Sequence, residues 1–310
     1  MKTISFLIPC YGSEKTIEAV CEEIINEISK RNEYDYEILA VNDCSPDNVL
    51  GVLKTLARSN EKIKVLNLAK NMNRPGAVMA GLNYAKGDYI VIMDDDGQCP
   101  MNQFWELFKP IEDGHDVSIA SYKKRKQSLF KSFGTFVNDR MTRFIINKPK
   151  DMQVTNFIIC KSYVIDEIIK YDNPYPYFTG LLLRTTTDIV NVELEQRERF
   201  EGKSTFTFFK MLSMWINGLT AVSVKPLRIS SFIGALSAFV GFIFGIVTII
   251  RKFTANIALG WSSIVSILLF IGGLIMLMLG MIGEYLGRIY ISLNKSPQYV
   301  IKEKINIKEN

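Results

Sequence analysis

Histidine is almost missing from this chain: His115 stands alone among 310 residues, which excludes a multi-histidine metal site. Cysteine is sparse and scattered. Cys10, Cys21, Cys44, Cys99 and Cys160 form no C-x-x-C pair, so free thiols are expected rather than a disulfide framework. There is no G-x-G-x-x-G fingerprint and no complete P-loop. Gly202-Lys203-Ser204-Thr205 lacks the partner glycine, whose place Arg197 takes. A net charge of +5 without a binding motif gives no reason to expect a nucleic-acid partner, although it suits phosphates and anionic lipid headgroups. The opening apolar run Ile4–Ile8 is too short for a secretory leader, so the polar part of the chain is expected in the cytosol.

Charge is wholly absent from two stretches, Ile229–Ile250 and Trp261–Ile282. Each covers 22 residues, roughly 33 Å as a helix, enough for a hydrocarbon core of ~30 Å. Buried helices of a soluble core are the alternative, but neither run shows amphipathic alternation. Together they predict a transmembrane hairpin. Gly241 and Gly245, and Gly283 and Gly287, have GxxxG spacing. That spacing allows close helix packing and is compatible with a homo-oligomer, but alone it implies no dimer. Just before the first run, 204–220 is rich in aromatics, including Phe206, Phe208, Phe209 and Trp215. It reads as a helix on the membrane surface or as a core helix of the preceding domain.

The rest of the chain alternates strand and helix signals. Strands are expected at Ser5–Pro9, Glu37–Val41, Lys64–Leu68, Tyr89–Met93 and Val117–Ala120. Between them, Ile17, Val20, Ile24, Ile25 and Ile28 recur at helical spacing behind Ser13, a possible cap. Further helices fit Asn48–Arg58 and Pro75–Ala85. This order predicts an α/β domain with a parallel-type sheet and helices on both faces. Ligands of such sheets bind beyond the carboxyl ends of the strands. The polar clusters around Asp43 and at Asp94–Asp96 both fall there.

Met93-Asp94-Asp95-Asp96-Gly97-Gln98 is the strongest chemical signal. Alternation along an extended chain turns Asp94 and Asp96 one way and Asp95 the other. Two convergent carboxylates repel unless a cation sits between them. Mg²⁺ or Mn²⁺ suits hard oxygen ligands shared with a diphosphate. A solvated acidic loop is the bland alternative.

Residues 1–205 resemble the family 2 glycosyltransferases. The likeness rests on Leu7-Ile8-Pro9-Cys10-Tyr11, on Val41-Asn42-Asp43-Cys44-Ser45-Pro46-Asp47, on Asn71 through Asp88, and on Asp94-Asp95-Asp96-Gly97-Gln98-Cys99-Pro100. The resemblance implies a GT-A (Rossmann-like) mixed sheet. It also implies a nucleotide-sugar donor held by Pro9, Tyr11, Asp43, Asp94 and Asp95, and a metal held by Asp94, Asp96 and Gln98. Arg199-Phe200-Glu201-Gly202-Lys203-Ser204 resembles the family's Arg-x-x-Gly-x-Ser segment, which would bring Arg199 to a phosphate. Lys131, Thr135 and Asn138 match the spacing of an Arg-x-x-x-Ser-x-x-Asn pattern in some relatives, with Arg125 in the basic stretch before them. They would hold an acceptor phosphate; a solvated surface loop is the alternative. Asp96, Lys131 and Arg199 form the expected catalytic set.

Several positions depart from the family pattern. Cys44 and Asn73 stand where glycine is usual, and Asn156 stands where some relatives carry a proposed catalytic aspartate. The hairpin followed by Gly283-Glu284-Tyr285-Leu286-Gly287-Arg288-Ile289-Tyr290 narrows the likeness to polyprenyl-phosphate glycosyltransferases, among them bactoprenol glucosyltransferases and dolichyl-phosphate mannose synthases. The implied organisation is a catalytic domain at 1–203, an interfacial region at 204–228, the hairpin at 229–286 and a cytosolic tail at 287–310. The implied reaction moves a sugar, expected from UDP, onto polyprenyl phosphate with inversion. A processive polysaccharide synthase would usually have more spans and a Q-x-x-R-W motif. A catalytically inactive membrane adaptor would not need the acidic set.

Lys203, Lys210, Lys225 and Arg228 precede the first span, and Arg288 and Lys295 follow the second, against Arg251 and Lys252 in the connecting loop. The larger basic set places both termini in the cytosol.

Overall fold

The computed structural model describes residues 1–122, 143, 149, 152–174, 176–195, 197, 225–254, 260–294 and 296–307. They fall into two units, one holding the N-terminal part together with the chain after residue 294, the other holding the two long helices.

The first unit is built on a mixed sheet. In chain order its strands are β1 (Lys2–Cys10), β2 (Tyr34–Asn42), β3 (Ile63–Leu68), β4 (Tyr89–Ile92), β5 (Val117–Tyr122), β6 (Ile158–Lys161), β7 (Ile189–Leu194) and β8 (Ile301–Ile305). They lie side by side as β7-β5-β6-β4-β1-β2-β3-β8. β1 runs parallel to β2 and β4, β2 to β3, and β5 to β7. Two strands run against the rest, which makes the sheet mixed, as the family resemblance implied. β6 lies antiparallel to both β4 and β5, and β8 antiparallel to β3.

Alternation along the strands divides the apolar side chains between two faces. Ile4, Phe6 and Ile8 of β1 pack with α1 (Ile17–Ile28), α2 (Val49–Ser59) and α4 (Phe104–Glu112). Leu7 points the other way, to the face covered by α3 (Asn73–Leu82), α5 (Ser162–Ile168) and α6 (Phe178–Thr185). α1 buries Ile17, Val20, Ile24 and Ile28 of the stripe read from its sequence, together with Cys21, while Ile25 is only partly buried. Ser13 does not cap it by its side chain. The helix begins behind Thr16, and the Ser13 carbonyl accepts the Thr16 and Ile17 N–H groups at 3.0 and 3.1 Å. All five cysteines are free, and Cys44 alone is exposed.

Cys44 has φ +51° and Asn73 φ +58°, the two positions where glycine was expected. Left-handed backbone costs an L-residue about 1–2 kcal/mol, less for asparagine. Cys44→Gly is therefore expected to stabilise the domain by about 1 kcal/mol, since the exposed thiol packs against nothing it would lose. A thermal melt that shows no increase would refute this.

The tail beyond the second apolar run is structured. β8 pairs with β3, and Ala69 N–H donates to the Val300 carbonyl at 2.8 Å. Gln298 is buried, and its Nε2 donates to the Tyr171 and Asn173 carbonyls, each at 2.7 Å. Asn306 Nδ2 reaches the Ala57 and Ile63 carbonyls at 2.7 and 2.9 Å.

The second unit holds α7 (Lys225–Thr254) and α8 (Trp261–Leu293). Phe270–Leu293 of α8 is long and apolar enough to cross a membrane, and none of it is buried. Leu227–Ile243 of α7 is a shorter apolar stretch. Close packing between the helices uses Gly234, where a Cβ would come within 1.9 Å of Met278 Cε. Gly241, Gly283 and Gly287 of the GxxxG pairs face open space.

Candidate functional site

The site forms where β1, β2 and β4 end at the same edge of the sheet. Two loops leaving β1 and β2 are stitched together by polar contacts. Gly12 N–H donates to Ser45 Oγ at 2.8 Å, and Ser45 Oγ donates to Asp47 Oδ1 at 2.5 Å. Glu14 N–H donates to Asp47 Oδ2 at 2.9 Å, and Asn48 N–H returns to Glu14 Oε2 at 3.1 Å. Beneath them Asn42 Nδ2 donates to Asn67 Oδ1 at 2.8 Å, tying β2 to β3 inside the core. This bond joins two neutral amides.

Asp43 is buried at the end of β2. Its Oδ1 accepts the Met72 N–H at 2.6 Å, so it closes the entry to α3. Burial raises its pKa from 3.8 to about 6, with the backbone N–H groups of Met72 and Asn73 opposing the shift. The folded state therefore favours the protonated acid. This contribution is fully present below pH 3.8 and is lost as pH rises through about 6. Asp43→Asn keeps an acceptor for Met72. It is expected to gain on the order of 2–3 kcal/mol over the native residue near neutral pH and almost nothing near pH ~4. Urea unfolding at both pH values checks the difference; an equal effect at the two would sink it.

β4 ends at Ile92, one residue earlier than expected, and the acidic run follows after Met93. Asp94 and Asp95 turn to opposite partners, as alternation predicts. Asp94 Oδ1 accepts Arg74 Nε at 3.0 Å and Oδ2 accepts Asn156 Nδ2 at 2.8 Å. Asp95 Oδ2 accepts the Tyr11 N–H at 3.0 Å, and the Asp95 carbonyl accepts Thr16 Oγ1 at 2.7 Å. Asp95 thus ties the β1 loop to the β4 loop. Burial raises its pKa to about 6, and Asp94 and Asp96 add to that rise. Asp96 Oδ1 accepts the Gln98 N–H at 3.1 Å across a turn made by Gly97 at φ +76°. Pro9 is half-buried and the Tyr11 ring is exposed at the rim.

Arg74 is the functional neighbour that sequence reading missed. It sits at the start of α3, and its charge beside Asn71–Asn73 was the available signal. Among the described residues, no three His, Cys, Asp or Glu groups gather into a closed metal cage. Asp94, Asp96 and Gln98, the residues expected from the sequence to hold a metal, all lie in the loop after β4 and offer oxygen donors. By their chemistry, such oxygens suit a hard divalent cation such as Mg²⁺ or Mn²⁺.

Arg125, Lys131, Thr135, Asn138 and Arg199 lie outside the described residues, as does the 204–220 segment. Arg197, just ahead of Arg199, donates through Nη1 to both Glu23 carboxylate oxygens at 2.9 and 2.8 Å.

With this geometry in view, the likeness to known proteins is specific. Residues 5–170 match the model of glycosyl transferase family 2, and residues 225–289 match the GtrB C-terminal hairpin. A prophage bactoprenol glucosyl transferase homologue of Escherichia coli is 30% identical over 96% of this chain and 98% of its own length. An undecaprenyl-phosphate 4-deoxy-4-formamido-L-arabinose transferase of Proteus mirabilis is 27% identical over 99% of this chain and 95% of its own. In three dimensions, the glucosyl-3-phosphoglycerate synthase of Mycobacterium tuberculosis, crystallised with Mn²⁺, UDP-glucose and phosphoglyceric acid, shares the fold. Its TM-score is 0.54 at 16% identity, covering 71% of this chain and 78% of that one. The chain belongs to glycosyl transferase family 2: it is a glycosyltransferase of the GT-A fold that carries a GtrB-type C-terminal hairpin.

Proposed function

We propose that this glycosyltransferase moves a sugar from a nucleotide donor, a UDP-sugar, to polyprenyl phosphate at the cytosolic face of a membrane. The observation that carries this reading is the union, in one chain, of a family 2 site with an apolar hairpin whose relatives act on bactoprenol and undecaprenyl phosphate. The basic residues flanking the hairpin support a cytosolic catalytic domain.

A lipid phosphate oxygen attacks the anomeric carbon while the bond from that carbon to the diphosphate oxygen breaks, inverting the centre. The nucleophile is already anionic near neutral pH, so it needs no strong base. Asn156, an amide, could not supply one. Pro9, Tyr11 and Asp43 border the donor, with Asp95 fixing the loop that carries Tyr11. Asp94, Asp96 and Gln98 hold the divalent cation, which when bound offsets the charge of the leaving diphosphate. Crystallisation of the mycobacterial fold relative with Mn²⁺ supports a divalent ion. Arg125, Lys131, Thr135 and Asn138 are assigned to the acceptor phosphate, and Arg199 to a phosphate at the reacting centre. Catalysis then rests on in-line positioning and stabilisation of the leaving group.

Sealed membrane vesicles test the acceptor, the metal and the orientation together. Inverted vesicles given undecaprenyl phosphate and a panel of radiolabelled UDP-sugars should form a labelled lipid that EDTA abolishes, and right-side-out vesicles should not. No lipid product with any sugar would overturn the acceptor assignment. Equal product from right-side-out vesicles would overturn the orientation.

A further inference from the structure

Asn156 lies just ahead of β6, and Asp94 lies just beyond β4. These strands run antiparallel, with Val91 opposite Ile159 and Ile92 opposite Ile158. Continued past the last ladder pair, that register sets Asp94 opposite Asn156. The side chains meet accordingly, Asn156 Nδ2 donating to Asp94 Oδ2 at 2.8 Å while Arg74 Nε holds Oδ1 at 3.0 Å. Each oxygen of Asp94 thus has its own donor, one neutral and one cationic.

An aspartate at 156 would change this arrangement in kind. Like charges directly opposite each other across two strands repel. An ionised carboxylate has no proton to donate, so the bond to Asp94 would become a repulsion that a cation relieves. The affinity of oxygen-ligand sites for divalent ions follows the number of charged ligands and their rigidity. The amide therefore does two things at once. It fixes the rotamer of Asp94 against the pull of Arg74, and it keeps the count of carboxylates low.

We propose that Asn156 is a positioning residue for Asp94 and sets the divalent-metal affinity of the site by withholding a third negative ligand. This rests on the metal role given to Asp94 above. It makes position 156 a determinant of metal binding in this chain and not the seat of a general base.

Mn²⁺ binding to the full-length protein in detergent, without donor or acceptor, can be followed by the electron paramagnetic resonance signal of the free ion. Asn156→Asp is expected to bind Mn²⁺ at least tenfold more tightly than the native chain. Asn156→Ala should bind at least threefold more weakly, because Asp94 is then left to Arg74. Asp94→Asn serves as the reference and should lose binding. If Asp94→Asn loses Mn²⁺ while both Asn156 variants stay within twofold of native, the positioning role is wrong and the metal reading stands. If Asp94→Asn binds as the native chain does, the metal reading itself fails and this inference with it. Should Asn156→Asp not fold, Asn156→Ala and Asn156→Ser carry the test, with the same threefold loss expected and native-like binding overturning it.

Discussion

Asp96→Asn is expected to lower the rate of sugar transfer at least ~100-fold while moving the melting temperature by no more than a few degrees. The two effects separate because of where the side chain sits. Asp96 is half-buried past the end of β4, and its Oδ1 accepts the Gln98 N–H at 3.1 Å. An asparagine amide oxygen can take over that bond, so the Gly97 turn survives. What disappears is one of two negative charges in a donor set with no third carboxylate to replace it among the described residues. The loss should be greatest at limiting Mn²⁺ and partly recovered at high Mn²⁺, since a weakened site can still be filled by mass action. Initial rates across a Mn²⁺ titration measure this. Near-native turnover at limiting Mn²⁺ would show that Asp96 is not a metal ligand.

The acidic run could be read from the sequence because its local context determines its place. Tyr89–Ile92 is a short apolar strand buried on both faces, and three carboxylates directly after it have only the strand end to occupy. The same logic found β1, β2 and β3, each built around a short apolar run. Cys44 and Asn73, which stand where glycine is usual, both have left-handed backbone. What escaped were relations between distant segments. Nothing local to Arg74 says that its guanidinium meets a carboxylate 20 positions later. Nor does Asn42 announce that it bonds Asn67 across the β2–β3 pair. Asp43 reads as a ligand contact, yet its burial and its bond to Met72 also make it a clasp on α3. In the hairpin, GxxxG spacing alone did not say which glycine lies close to the other helix: a Cβ at Gly234 would meet Met278, whereas Gly241, Gly283 and Gly287 face open space.

Removing residues 296–310 should destabilise the catalytic domain by roughly 3–5 kcal/mol, lower its melting temperature by about 10 °C and promote aggregation. In sequence this stretch looks like a solvated charged tail, because Ile301-Lys302-Glu303-Lys304-Ile305 is mostly ionic. Its alternation is nevertheless that of a sheet-edge strand, with Ile301 and Ile305 half-buried and the lysines outward. Ile301, Tyr299 and Ile307 pack against one core face and Ile305 against the other. Gln298 and Asn306 each satisfy two carbonyls by side-chain bonds. By contrast, the exposed Lys54–Glu303 pair at 2.8 Å contributes little. Truncation would leave the long edge of β3 unpaired, the usual origin of strand-to-strand aggregation. The consequence reaches the donor site, because the Val300 carbonyl holds Ala69 at the head of the segment that carries Met72 and Arg74. Nucleotide affinity of the truncated protein, measured below its melting temperature, should therefore fall several-fold. Differential scanning fluorimetry of the full-length and truncated proteins in the same detergent measures the stability effect. Equal melting temperatures would show that β8 is dispensable.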